Sequence, residues 1–345
     1  MENTLLNSAP APAETAEFIK LKLGFLGVGW IGRNRLEAIA KAGVAEIISA
    51  ADPVAENKQA VRETAPDARL ENTLEALLTA ETDAVVIATP SALHAEQSIA
   101  ALQAGKAVFC QKPLGRNAAE TKAVVEAARG ADLSLGVDLS YRHTTAMQQV
   151  YDVLQSGELG EIYAVELVFH NAYGPDKNWF YDPKLSGGGC VIDLGVHLVD
   201  LALWGLNFPE VKTVNSRLFA KGKPLTDPST QVEDYASAHI ELATGTHVQL
   251  TCSWNLQAGQ EALISAVFYG TNGGVAFRNV NGSFYDFVAE RYYGTRTETL
   301  VSPPDNWMGR AAVEWAKRLA AGEKFSEDAL AFMKVAEVLD KIYGR

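Results

Sequence analysis

The sequence predicts a two-domain α/β protein in which a doubly wound parallel sheet is followed by an α+β unit built on a largely antiparallel sheet. From Ile19 to about Leu139, short apolar runs alternate with longer amphipathic stretches, the pattern of parallel strands joined by crossover helices. Beyond Tyr141 the texture changes to segments of alternating hydrophobicity with turn residues such as TNGG between or after them. At 345 residues and 48% hydrophobic content, the chain has the size for two globular domains.

In order along the first unit, IKLKLGFLG reads as a strand and turn, followed by a helix to Ala42. AEIISAAD, DAVVIATP, KAVFCQKP and LSLGVDLS are the later strands, with helices near 54–65, 92–104 and 117–129. A helix to about Ser156 opens the second unit, and EIYAVELVFH, VKTVNSRLFA, EDYASAHIEL, HVQLTCSWNL and LISAVFYG supply its strands. In HVQLTCSWN, Val248, Leu250, Cys252 and Trp254 share one face, while His247, Gln249, Thr251 and Ser253 share the other. Helices near 307–321 and 326–342 follow. The expected organisation is a flexible leader over 1–18, a first domain over 19–140 and a second over 141–345.

The net charge is −12 with Lys and Arg scattered, which argues against nucleic acid or an anionic membrane as partner and favours a small organic ligand. No apolar run reads as long enough to span a membrane, and the leader lacks the features of a signal peptide. Cys110, Cys190 and Cys252 lie apart in apolar segments and read as reduced, buried thiols of a cytoplasmic protein.

GFLGVGWIG places Gly27, Gly29 and Gly32 in G-x-G-x-x-G spacing, after a strand and opening a helix that includes Trp30 and Ile31. Such a turn lets a pyrophosphate approach the backbone at a helix N-terminus. Asp52 ends the next strand twenty residues after Gly32, where a carboxylate accepts from the adenosine ribose hydroxyls and repels a 2′-phosphate. No Arg follows it in PVAEN, so NAD is favoured over NADP; Asp52 as N-cap of the following helix is a compatible reading. Thr89 and Pro90 occupy the loop after a later strand, and His94 the start of the next helix, where a positioning role near the cofactor is expected.

IATPSALHAEQSIAALQAGKAVFCQKPLG, taken with LSGGGCVIDLGVHLVD, resembles the Gfo/Idh/MocA family of oxidoreductases over nearly the whole chain after the leader. The resemblance implies an N-terminal Rossmann domain, a C-terminal domain with an open mixed sheet, and a dinucleotide in the cleft between them. It implies that Lys112 lies near the nicotinamide and the reacting hydroxyl, and that Asp193 and His197 are the active-site pair. The chain departs from the family's Glu-Lys-Pro with Gln111, which keeps the hydrogen-bonding reach and drops the charge, and from a common Asn with Ser91.

The residues themselves agree with the family's pair. Asp193, His197 and Asp200 follow one another at steps of four and three, on one side of a helix. A carboxylate one turn from a histidine orients the ring and stabilises the imidazolium, and an unperturbed histidine suits proton transfer near neutral pH. Lys112 would hydrogen-bond the reacting oxygen. Zinc ligation by Asp193 and His197 competes weakly, since no third His or Cys has suitable spacing. A merely solvated face is disfavoured by Leu194, Val196, Leu198, Val199 and Leu201. Asp200 is open between capping, pairing with an Arg and extending the site. The preceding glycines are expected to let substrate and nicotinamide approach the helix start. Tyr141, Arg142, Tyr173, Asn178 and Trp179 are candidate contacts to a polyol.

The expected reaction is NAD-dependent hydride transfer at a secondary alcohol or ketone of a sugar, inositol or related polyol. NAD-dependent elimination of a glycosidic substituent and non-catalytic dinucleotide sensing are the competing classes; Lys112, Asp193 and His197 together weigh against the sensor. A homodimer or homotetramer through the second sheet is expected.

Overall fold

The structure is a computed structural model that describes residues 20–345, so the expected leader lies outside the described residues. The first sheet is built from β1 (Leu21–Leu26), β2 (Ala45–Ala51), β3 (Arg69–Glu71), β4 (Ala84–Ile87), β5 (Ala107–Cys110) and β6 (Leu135–Val137). All neighbours are parallel, in the order β3-β2-β1-β4-β5-β6. The connecting helices are α1 (Trp30–Ala42), α2 (Ala55–Val61), α3 (Leu74–Leu78), α4 (Ser91–Gln103) and α5 (Ala118–Ala131). Every residue of β4 and β5 is buried, which is why AVVI and AVFC are apolar without alternation. The order of connection reverses between β1 and β4, and the crevice there is where this topology binds ligands.

A 3-10 turn (Ser140–His143) and α6 (Thr145–Ser156) lead to the second sheet. Its strands are β7 (Ile162–Asn171), β8 (Val211–Ala220), β9 (Lys223–Pro224), β10 (Tyr235–Leu242), β11 (His247–Ser253), β12 (Ala262–Gly270), β13 (Gly274–Asn279), β14 (Phe287–Tyr293) and β15 (Arg296–Val301). The order is β15-β14-β13-β12-β7-β11-β10-β8-β9, and β7 with β11 is its one parallel pair. The inner face carries Val248, Leu250 and Cys252 as their alternation requires, with Trp254 buried just beyond the strand. Ser253 departs from the alternation, being buried against His170 Nδ1 at 2.8 Å.

Between β7 and β8 run α7 (Pro183–Ser186), a π-helical turn (Val191–Gly195) and α8 (Val196–Gly205). By length and composition Pro183–Gly205 could cross a bilayer, contrary to the sequence reading, yet 89% of its apolar window is buried in the protein core. Helices α9 (Arg310–Ala320) and α10 (Leu330–Tyr343) follow. Although α9 comes after the second sheet, its Ala311, Ala312, Trp315 and Ala316 pack into the core of the first; Trp315 lies 5.4 Å from the Phe109 ring.

β3, α3 and β13–β15 were not expected as elements. All three of the last strands carry charges that obscure the alternation and are paired within the sheet, Arg278 on β13 with Glu290 on β14 at 2.6 Å and Arg291 on β14 with Glu298 on β15 at 2.9 Å.

Candidate active site

The glycine turn after β1 fits a dinucleotide. Gly27 has φ +81°, and a Cβ there would stand 2.5 Å from the Ala88 carbonyl oxygen. A Cβ on Gly32 would lie 2.0 Å from the Gly27 oxygen, so this glycine serves close helix packing. At Gly29 the nearest atom would be 3.8 Å away. The protein does not need that space, which suits a ligand's approach. Among the described residues no side chain caps the N-terminus of α1, leaving its first N–H groups for an anion. Trp30 is exposed beside it and Ile31 half-buried.

Asp52 is buried, its carboxylate accepting from Val28 N–H and Val54 N–H at 2.8 Å each and from Asn57 at 3.2 Å. It therefore anchors the glycine turn. The capping position of α2 is Val54, so the reading of Asp52 as N-cap is corrected: its side chain turns the chain one step before the helix.

At the other end of the crevice, His94 is buried with Nδ1 2.6 Å from the Pro113 carbonyl and Nε2 2.7 Å from the Thr89 carbonyl. A neutral ring can donate to only one of these acceptors. Burial holds the His94 pKa down, with the Lys112 charge adding to the effect, against the pull of both carbonyls. The ring thus ties the loop after β4, with Thr89 and Pro90, to the loop carrying Lys112.

Lys112 reaches across to the second domain. Its Nζ donates to the Asp193 Oδ1 and to the Asp193 carbonyl, each at 2.7 Å. Asp193 lies in the π turn, where Val196 N–H bonds to the Val191 carbonyl, and its Oδ2 accepts from Trp254 Nε1 at 3.1 Å. The expected Asp193–His197 pair is thereby corrected: both carboxylate oxygens are engaged, one by a cation from the other domain and one by an indole.

The glycines before this turn also have a different reason from the expected one. A Cβ on Gly189 would fall 1.9 Å from the Glu233 carbonyl oxygen, and one on Gly188 2.1 Å from the Tyr343 hydroxyl. Buried Glu233 accepts from Gly189 N–H at 3.0 Å, Val191 N–H at 2.8 Å and the Tyr343 hydroxyl at 2.8 Å. The run lets the chain press against Glu233, which supplies acceptors for the N–H groups at the helix start.

His197 is 8% exposed and packs edge-on to Tyr141, ring centres 4.8 Å apart. Burial, then the charges of Lys112 and Arg35, hold its pKa well below the ordinary histidine value. The ring is accordingly neutral at physiological pH, a shift that the unperturbed value did not anticipate. Tyr141 belongs to an aromatic cluster with Phe169, Phe277, Phe287 and Trp307, and burial raises its pKa. It supports His197 rather than lining an open pocket. Arg142 donates Nε to Asp200 at 2.7 Å and Nη2 to the other carboxylate oxygen. Their bidentate pairing makes Asp200 an ion-pair partner and gives Arg142 a carboxylate contact within the second domain.

Gln111 likewise turns inward, its Nε2 donating to Asp138, which also accepts from Arg35 Nε at 2.6 Å. Tyr173 is exposed beside Phe284 at 6.0 Å, and Asn178 is exposed in a 3-10 turn (Asn178–Tyr181). Trp179 stacks on Phe180 at 3.8 Å, and Phe180 and Tyr181 lie edge-on to Trp254. The turn that carries Asn178 and Trp179 thus meets Trp254 through Phe180 and Tyr181, whereas Tyr173 packs on Phe284.

Trp254, Glu233, Asp138 and Arg35 were not identified as site residues. Only Trp254 carried a signal, since a buried indole N–H needs an acceptor. Among the described residues no group of three His, Cys, Asp or Glu is placed to share a metal. Cys190 and Cys252, distant in sequence, have their sulfurs 3.8 Å apart as free thiols. A cavity of about 1070 Å³ lies elsewhere between the domains, lined in part by Arg142, Trp204, Arg310 and Trp315. It includes neither Lys112 nor Asp193.

A glycine turn with room for a pyrophosphate, an acidic residue closing the second strand, and a lysine–carboxylate contact across the interdomain crevice define the class of dinucleotide-dependent oxidoreductases. Residues 21–139 match the description "Oxidoreductase family, NAD-binding Rossmann fold", and residues 147–276 match "GFO/IDH/MocA C-terminal domain". The chain belongs to the Gfo/Idh/MocA family of oxidoreductases. It is 30% identical to D-glucoside 3-dehydrogenase of Escherichia coli over 66% of this chain and 68% of that protein. Identity to inositol 2-dehydrogenase of Rhizobium meliloti is 26%, over 92% and 95% of the two chains. A solved levoglucosan dehydrogenase in complex with NADH and levoglucosan superposes with a TM-score of 0.81 at 22% identity, covering 94% of this chain and 96% of that one. This structural likeness extends the agreement in fold across both domains.

Proposed function

We propose that this protein catalyses reversible, NAD-dependent oxidation of a secondary alcohol on a sugar, inositol or related polyol. The observation that carries the reading is the contact of Lys112 with Asp193 beside His197, at the crevice between the dinucleotide domain and the second sheet. Sugar and polyol dehydrogenases among its relatives support the substrate class.

When bound, the nicotinamide supplies the two-electron acceptor. Lys112 donates a hydrogen bond to the substrate oxygen as that oxygen gains negative charge. His197, neutral at physiological pH, receives the hydroxyl proton and returns it in the reverse direction. Asp193, held by Trp254, keeps the ammonium in place and accepts from a neighbouring substrate hydroxyl. Packing of Tyr141 against His197 fixes the ring.

NAD is the proposed cofactor because Asp52 places a buried carboxylate at the end of β2; solved neighbours hold NAD, NADH or NADP. Asp52→Ser is expected to relax the preference towards NADP, and an unchanged NAD:NADP ratio of kcat/KM sinks the assignment. The buried free thiols support a cytoplasmic location, and the outward sheet face with Tyr163, His239 and His247 supports a homodimer or homotetramer.

The test is an absorbance screen at the NADH band against polyols, sugars and glycosides, repeated with Lys112→Ala and His197→Ala. Each variant should lose at least about 100-fold in kcat and retain dinucleotide binding. Turnover like that of the unmodified protein in either variant refutes its role. Release of a leaving group without net NADH would replace the dehydrogenase reading with elimination.

A further inference from the structure

We infer that Asp138 is a specificity-determining residue for the redox state of the cofactor, its buried carboxylate favouring the oxidised over the reduced dinucleotide. The inference rests on the nicotinamide reading of the crevice and assigns a function to a cluster that the proposed reaction does not use.

Asp138 directly follows β6 and is 1% exposed. One oxygen, Oδ2, takes both Arg35 Nε at 2.6 Å and Gln111 Nε2; the other, Oδ1, has no hydrogen-bond partner among the described residues. Arg35 is itself buried on α1, the helix opened by the glycine turn, and Gln111 directly precedes Lys112. The cluster therefore joins three elements that border the dinucleotide crevice. Leaving one oxygen of a buried carboxylate unpaired is costly, so the arrangement requires more than packing to account for it. The amide at Gln111 follows from the same geometry, because a second carboxylate at that position would face the first.

Charge gives the cluster its consequence. Arg35 with Asp138, and Lys112 with Asp193, form two pairs that are each neutral overall. The nicotinamide ring is positive when oxidised and uncharged when reduced. Removing the charge of Asp138 leaves the Arg35 cation uncompensated, and that cation opposes only the oxidised ring. Arg35 already acts at the reacting end of the site to a small extent, since after burial and the Lys112 charge it contributes to lowering the His197 pKa. One unit charge acting over about 10 Å at an effective dielectric near 20 changes an affinity by roughly tenfold. A packing role alone would weaken both redox states alike.

The experiment measures Kd for NAD+ and NADH by fluorescence titration, without substrate, on the unmodified protein and on Asp138→Asn, Arg35→Gln and the Arg35→Gln/Asp138→Asn double variant. In Asp138→Asn the ratio Kd(NAD+)/Kd(NADH) should rise roughly tenfold. In Arg35→Gln, which leaves the carboxylate uncompensated, it should fall. The double variant removes both charges and should return to within about threefold of the original ratio. If Asp138→Asn does not fold, the opposite shift in Arg35→Gln and its cancellation in the double variant carry the same test. Ratios within twofold of the original in every folded variant overturn the inference while leaving the dehydrogenase reading intact. Failure of the unmodified protein to bind either dinucleotide overturns both.

Discussion

Replacing Trp254 with Phe tests the geometry of the site more finely than removing a charged group. The substitution keeps an aromatic ring under Phe180 and Tyr181 and deletes the N–H that Asp193 Oδ2 accepts at 3.1 Å. Trp254 is 2% exposed, so little water is available to replace that donor. A hydrogen bond to a charged group contributes about 1.5–3 kcal/mol. If the bond acts by holding Asp193 and, through it, Lys112, the same energy appears at the transition state as a loss of about 10- to 150-fold in kcat/KM. The assay is steady-state NADH formation with the best substrate of the screen, accompanied by dinucleotide titration and thermal melting. Dinucleotide affinity should be unchanged, because Trp254 lies on the second domain. A variant that melts at lower temperature yet keeps kcat/KM within twofold of the original refutes the positioning argument and leaves the indole a structural role only.

Gly189→Ala forces a Cβ to within 1.9 Å of the Glu233 carbonyl oxygen, so it should destabilise the protein by about 1–3 kcal/mol or more and lower activity together. Gly130→Ala, in an exposed part of α5 with no described atom within 4 Å of the new methyl, should instead raise the melting temperature; the reverse order in a melting experiment would refute the close-packing account. Acidification should also destabilise. His94, His143, His170 and His197 all have folded pKa values lowered chiefly by burial, so the unfolded chain binds more protons. Their stability contribution is complete above about pH 6.5 and is lost as pH falls through the folded values. Asp200 and Glu233, raised by burial, act in the opposite sense closer to the carboxylate range. A melting temperature that does not fall between pH 7.5 and 5.5 contradicts the histidine argument.

What the sequence disclosed depended on whether the cause was local. Turn chemistry at Gly27 and Gly32 and the apolar runs of β4 and β5 are properties of a few adjacent residues, and they were legible. Alternation likewise exposed the inner face of β11. Strands β14 and β15 were illegible because Arg291 and Glu298 answer each other across the sheet, leaving neither strand with a clean pattern. In the site, spacing placed Asp193 and His197 together on one helix but misdirected their pairing, and it could not register the π turn that carries Asp193. The partner that takes the carboxylate, Lys112, is 81 residues away, and no helical periodicity can register it. The glycine run shows the same limit: its need for small residues is set by Glu233 and Tyr343, far along the chain. Arg35 and Asp138, 103 residues apart, left no signal at all, since each alone resembles an ordinary surface charge.

The return of α9 to the first sheet bears on how the protein is made. Trp315 and its neighbouring alanines complete a core that otherwise consists of residues from the first domain. During synthesis, β6 emerges about 170 residues before α9. At 5–20 residues per second that interval lasts roughly 10–30 s, during which the nascent sheet has Phe109 without its indole neighbour. The dinucleotide domain is therefore not a finished unit when its own strands have left the ribosome, and its last piece arrives only after the entire second sheet has been made.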